Sequence, residues 1–150
     1  MKKALAAVLI ILIALSLVSC SYDKSAEAVL HDFCREYPID SRIYSSLADT
    51  WEAGYIDSEM LYALYGMDEH PVREYAVVMY GKVDTVREIG VFIIENGQDK
   101  ILLTELISGR IGFLSSFAEG EGFVKSYKGV MVYGFVENSA RAQELFDRII

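Results

Sequence analysis

The chain has 150 residues and predicts an α+β fold. The expected form is a two-layer sandwich: a mostly antiparallel four-stranded sheet in ββαββα order, both helices on one face, with short helices at the N-terminal side. Three observations predict it. Four short runs rich in Val, Ile, Tyr and Phe lie beyond Arg73. They come in two pairs, and a stretch of helical periodicity follows each pair, which implies an antiparallel sheet with helices packed on it. The chain before Arg73 carries only short helical patterns, broken by Pro38, Gly66 and Pro71.

Each element has its own local warrant. Ser25 can cap a helix whose apolar positions Val29, Leu30, Phe33 and Tyr37 follow helical spacing, and Pro38 stops it. Residues 39–53 are weakly patterned, with a short helix expected around 46–51. Asp57 caps a helix over residues 58–65, with Glu59 in its first turn and Gly66 at the left-handed position that ends it. Residues 75–80 (YAVVMY) and 88–95 (EIGVFIIE) read as strands joined by residues 81–87, and Asn96-Gly97 is a turn. Residues 99–117 form a long helix with Leu103, Leu106, Ile107, Leu114 and Phe117 among its apolar positions. Gly109 and Gly112 interrupt that helix, for close approach to the sheet or as a break into two. Residues 123–127 and 130–136 are strands around a tight Lys128-Gly129 turn. Asn138 caps a last helix whose apolar face is Ala142, Leu145, Phe146 and Ile149.

Successive strand side chains point to opposite faces. Tyr75, Val77 and Met79 share one face and Ala76, Val78 and Tyr80 the other. The runs 89–94 and 130–136 are likewise apolar on both faces. Two helices on one side leave the other bare, and a bare face would exceed the apolar patch a soluble monomer exposes. The expected cover is the lead-in, residues 25–65. The functional alternative is a protein partner or self-association through that face, or an apolar ligand.

The N-terminus carries the most specific signal. Lys2 and Lys3 precede an uncharged run at 4–18, about fifteen residues, the length of a secretory h-region and short of the roughly 20 that a spanning helix needs. Leu17-Val18-Ser19-Cys20 follows. An aliphatic residue at −3, a small one at −1 and Cys at +1 resemble the lipobox of bacterial lipoproteins. The resemblance implies that residues 1–19 are a lipoprotein signal peptide and that Cys20 is diacylated on sulfur and becomes the mature N-terminus. Residues 20–24 are then a lipidated tether and 25–150 a single domain, with 25–65 a helical lead-in and 73–150 the ββαββα unit. The expected location is the extracytoplasmic face of the cell membrane, held through the lipid on Cys20. Two acyl chains anchor far better than one, at about 0.8 kcal/mol per buried CH₂.

Residues 1–19 hold two of the 14 basic side chains, Lys2 and Lys3, and none of the 22 acidic ones, so the mature part carries 12 against 22, a formal charge of −10. That charge argues against nucleic acid and anionic lipid headgroups as partners. With Cys20 taken by lipid, Cys34 is a lone thiol, expected to be a buried, inert hydrophobe on the first helix.

A family resemblance follows from several short stretches. They are Tyr65-Gly66-Met67-Asp68, Glu74-Tyr75-Ala76-Val77, Arg87-Glu88-Ile89-Gly90-Val91-Phe92, the long helix, Lys128-Gly129-Val130-Met131-Val132-Tyr133, and the terminal helix at 140–146. Together with the lipobox they resemble the small Clostridia-type bacterial lipoproteins that carry domain of unknown function 4358, over about residues 58–150. The resemblance implies a cell-surface lipoprotein and carries over no catalytic or ligand-binding residue.

Other constellations are weak. His31 and Cys34 lie at i, i+3, but a structural metal site wants about four ligands, and the other His, His70, is remote in sequence. No metal site and no cofactor is expected. Asp68-Glu69 and Glu119/Glu121 lack calcium-loop spacing, and Gly120/Gly122 make no phosphate cradle. Trp51, Tyr55, Tyr62 and Tyr65 would suit an aromatic platform for sugar rings, but a small helix packed on the sheet explains them better. The expected function is a non-enzymatic accessory or interaction module with no catalytic residues; the alternative is a binding module for an extracytoplasmic small molecule or cell-wall glycan.

Overall fold

A computed structural model describes residues 23–48, 54–67, 72–94, 97 and 99–150. The signal peptide, Cys20, most of the tether, Trp51, Asp68-Glu69, His70, Pro71 and Asn96 lie outside the described residues. The elements in order are α1 (Ala26–Glu36), β1 (Ile43–Ser45), α2 (Ser58–Tyr65), β2 (Glu74–Tyr80), a 3-10 turn (Val83–Thr85), β3 (Arg87–Ile93), α3 (Asp99–Ser115), β4 (Glu121–Tyr127), β5 (Val130–Val136) and α4 (Ser139–Ile149).

Local chemistry sets the element ends. Ser25 Oγ accepts from the Ala28 N–H (3.1 Å), Asp57 Oδ1 from Met60 (2.8 Å) and Asn138 Oδ1 from Arg141 (2.9 Å), so each N-cap satisfies a donor that has no partner inside the helix. Gly66 closes α2 in the left-handed region at φ 66. The β4–β5 turn needs positive φ at both central residues, and Lys128 (φ 45) and Gly129 (φ 81) supply it.

The sheet is antiparallel throughout, in the order β1-β2-β3-β5-β4. The α+β sandwich is as the sequence predicts, with two differences. A fifth strand, β1, pairs with the outer edge of β2, Ile43 opposite Val78. Of the short helix expected around 46–51, residues 46–48 form a turn after this strand and 49–51 lie outside the described residues; Ser46 exchanges bonds with Tyr75. The second difference is the placement of the helices. They do not share one face: α4 joins α1 on the first face, and α3 joins α2 on the second, giving three layers. The physical reason is the doubly apolar sheet, since each face needs its own cover.

On the first face, Ala26, Val29, Leu30 and Phe33 of α1 and Ala142, Leu145 and Phe146 of α4 pack on Ala76, Val78, Ile89, Val91, Val130 and Val132. The Phe33 and Phe146 rings stack at 4.3 Å and join the two helices. On the second face, Leu61 and Tyr65 of α2 and Leu103 and Ile107 of α3 pack on Tyr75, Val77, Phe92, Met131 and Tyr133. The expected lid, residues 25–65, is thus divided between the faces. The alternative of a partner on a bare sheet face would need such a face, and among the described residues helices cover both. The glycines of α3 neither break it nor press on the sheet: the helix runs unbroken to Ser115, and Gly109 and Gly112 have nothing within 4 Å of an added Cβ.

Candidate functional site

Among the described residues, one cluster of charged side chains lies inside the molecule, on the second face. Glu88 occupies the β3 position two residues before Gly90, so strand alternation turns its side chain inward with Gly90 and Phe92. It is fully buried. On α3 the inward stripe is Leu103, Ile107, Arg110 and Leu114, spaced i, i+4, i+7, i+11, so helical periodicity aims Arg110 at the same layer. The two meet as a fork. Arg110 Nη2 donates to Glu88 Oε2 at 2.5 Å, and Nε lies 3.0 and 3.2 Å from Oε1 and Oε2. The Arg110 side chain is 11% exposed and also lies over the Phe113 ring at 5.5 Å.

Two tyrosines complete the cluster. Tyr133 of β5 donates its hydroxyl to Glu88 Oε1 at 2.5 Å, and the Tyr65 and Tyr133 hydroxyls are 2.5 Å apart. A phenol has a single proton; with that of Tyr133 on the carboxylate, Tyr65 has the Tyr133 oxygen at 2.5 Å and Glu88 Oε1 at 3.4 Å as acceptors. Gly90 makes this geometry possible. It faces Tyr133 across the β3–β5 ladder, and a Cβ there would lie 2.1 Å from Tyr133 Cε1. Without that side chain the ring lies over the strand and its hydroxyl reaches Glu88.

Electrostatics follow from burial. Desolvation, then the Glu88 charge, push the Tyr65 and Tyr133 phenols well above their ordinary range. For Arg110, burial works against the charge, but the bonds and attraction of Glu88 outweigh it and the net shift is upward. The carboxylate takes the guanidinium fork and a phenol, and it has no exposed surface. The phenols stay protonated at neutral pH. The arrangement therefore works by position: it ties α3 and α2 to the two central strands β3 and β5.

The residues singled out from sequence are scattered. Cys20 lies outside the described residues. Cys34 is free and half-buried against the first-face core, and desolvation pushes its thiol up to about 11. The expected full burial is thus partial, while the expected inertness agrees with a thiol that stays protonated. His31 is exposed on α1. Among the described residues no group of three or more His, Cys, Asp or Glu side chains is placed to hold a metal ion. Glu121 caps α4, accepting from the Ser139 N–H (3.0 Å) and Oγ (2.7 Å), and these bonds hold its carboxyl below the usual range. The tyrosines of the sugar platform do not share a surface: Tyr65 is in the core and Tyr62 points outward.

The inner cluster was missed from sequence, although two signals point to it. Glu88 is a charge on an otherwise apolar strand face, and Arg110 is a charge of opposite sign on the apolar stripe of the long helix. Elsewhere, the Tyr80 hydroxyl and Arg87 Nε, on residues paired across β2 and β3, are buried with no hydrogen-bond partner among the described residues. A half-open recess of about 220 Å³ lies between the start of α3 and the β4–β5 turn, lined by Ile94, Lys100, Ser126, Tyr127 and Lys128 among others. Among the described residues no helix is long and apolar enough to cross a membrane. No family model, curated protein or solved structure matches the chain.

Proposed function

We propose that the chain is a membrane-anchored extracytoplasmic lipoprotein, held by lipid on Cys20, whose folded body is a non-enzymatic accessory or interaction module. We extend the proposal to family: residues 58–150 belong with the small lipoproteins carrying domain of unknown function 4358. The observation that carries the reading is Leu17-Val18-Ser19-Cys20 behind Lys2, Lys3 and the uncharged run. The folded body supports it. Its capped helix α1 begins at Ala26, six residues beyond Cys20, a spacing that suits a short tether. The inner ionised cluster supports the non-catalytic half of the reading, because its carboxylate is closed to solvent and already bonded.

Intact mass of the protein extracted from membranes tests the anchor. The expected mass is that of the chain from Cys20 plus a diacylglyceryl group. A Cys20→Ser variant is expected to lose lipid and to leave the membrane fraction once processed. A mature chain starting at another residue, or a processed Cys20→Ser protein that stays on the membrane, overturns the reading.

A further inference from the structure

We propose that the end of the sandwich from which the tether leaves is itself a membrane-docking surface, resting on the phospholipid headgroups so that the body stands end-on on the bilayer. This rests on the lipoprotein reading and adds an orientation and a contact surface to it.

The tether exit can be placed on the fold. Lys24 Nζ reaches the Ile149 carbonyl (3.5 Å) at the end of α4, and the Ala26 N–H donates to Glu74 Oε2 (3.2 Å) at the start of β2. Glu74 pairs with Ile93 at the end of β3, Ile93 with Val130, and the Ile94 N–H donates to the Gly129 carbonyl (2.8 Å) in the β4–β5 turn. The recess places Lys100, in the first turn of α3, beside that same turn. The exit of the tether, the start of α3 and the β4–β5 turn therefore share one end. Cys20 is three residues before Asp23, a reach of at most about 11 Å. A lipid on Cys20 holds this end, and no other, against the headgroups.

The side chains at this end fit that position. Ile101 is 69% exposed, Leu102 49% and Tyr127 48%. Lys100 and Lys128 line the same recess as Tyr127, and the Lys128 ammonium lies 5.0 Å over the Tyr127 ring. Aromatic rings at headgroup level, with lysines whose stems lie in the apolar layer and whose heads meet phosphate, are the usual composition of a membrane interface. Of the carboxylates nearby, Glu74 is engaged by Arg73 and Ala26 and Asp32 by Lys24 and Arg35, while Asp99 stands beside Lys100 at the start of α3. The body's overall negative charge thus coexists with a contact end where lysines meet exposed apolar groups. The other exposed aromatic pair, Phe113 and Phe117, packs ring on ring at 5.2 Å. Phe113 lies twelve residues beyond Ile101, about 18 Å along the helix, and serves as an internal control.

The test uses the full chain, extracted with its anchor and reconstituted into vesicles of phosphatidylcholine and phosphatidylglycerol with brominated acyl chains. A Trp51→Phe background removes the single tryptophan. Tyr127→Trp, with Ile101→Trp as a second reporter from the helix, is expected to lose about twofold in emission on brominated vesicles, since an interfacial side chain sits within roughly 5–10 Å of the acyl boundary. Phe113→Trp is expected to be unchanged. A lipid-modified chain that floats with the vesicles yet shows no quenching at 127 or 101, or equal quenching at 113, overturns the docking surface and leaves the anchor standing. A chain that neither floats nor carries the acyl mass overturns both.

Discussion

Removing a carboxylate and a guanidinium from water costs several kcal/mol each, and their attraction offsets this only when the remaining donors and lone pairs are also matched. Glu88 meets that condition through the Arg110 fork and the Tyr133 hydroxyl, which makes single and double substitutions behave differently. Glu88→Gln or Arg110→Met alone leaves an uncompensated buried group and is expected to cost about 3–5 kcal/mol in urea unfolding at neutral pH. The pair Glu88→Leu with Arg110→Met removes both charges and is expected to recover most of that loss. Additive losses would mean that the two residues do not act as a pair. The tyrosines give the cluster a pH signature. Tyr65, Tyr133 and Tyr80 are neutral in the fold at a pH where the unfolded chain, with tyrosines near 10.0, begins to ionise. The unfolded state then binds fewer protons than the native one, so stability is intact below about pH 10 and falls as pH rises above it, by up to ~1.4 kcal/mol per pH unit for each such tyrosine. Thermal unfolding between about pH 8 and 11 should show the fall, and Tyr133→Phe should flatten it by one tyrosine's share. An unchanged slope in that variant would contradict the burial of its proton. This chemistry was within reach of sequence only as two charges on apolar faces. That the charges meet, and that Gly90 opens the space for Tyr133, depends on the β3–β5 register, which joins residues about forty apart along the chain.

At the scale of elements, what sequence makes legible is what local chemistry decides. The caps Ser25, Asp57 and Asn138, the left-handed Gly66 and the Lys128-Gly129 turn act within a few residues of themselves, and the structure places each where the sequence does. The helix at Ser58–Tyr65 and the strand at Val130–Val136 have the expected limits. The strand β1 was not legible because Ile-Tyr-Ser is too short to show a period, and only pairing with β2 makes it a strand. The helix α3 was legible as a helix but not in its orientation. Its apolar side chains run round the axis, with Leu103, Ile107 and Leu114 inward and Ile101, Leu102 and Phe113 outward, so no stripe marks the side that packs. The face on which each helix lies was hidden for a related reason. Strands apolar on both sides say that both must be covered and leave open which helix covers which.

At the scale of the whole molecule, the lead-in is part of both cores and not a lid over one. Residues 25–65 contribute Ala26, Val29, Leu30 and Phe33 to the first face and Ile56, Leu61 and Tyr65 to the second, all buried. They also supply β1, whose three residues shield the edge of β2. Deleting 25–65 while keeping residues 1–24 therefore uncovers Ala76, Val78, Ile89 and Val91 on one side and Tyr75, Val77 and Phe92 on the other, and it exposes a long sheet edge at the same time. The helices α4 and α3 lie towards β5 and β4 and do not reach across to take over that surface, since α1 and not α4 is the neighbour of β2 and β3 on the first face. Losing Phe33 and Leu61 alone removes side chains whose truncation to Ala typically costs about 2–5 kcal/mol each, which is comparable with the 5–15 kcal/mol that holds a domain folded. The truncated protein is expected to bind a hydrophobic dye strongly, to self-associate and to lose its sharp unfolding transition, as followed by dye fluorescence, sizing and near-ultraviolet dichroism. A truncated chain that stays monomeric, excludes dye and unfolds cooperatively would show that residues 72–150 form a complete core by themselves. The first helix and the short strand would then be free to act as a separate interaction element on the tether.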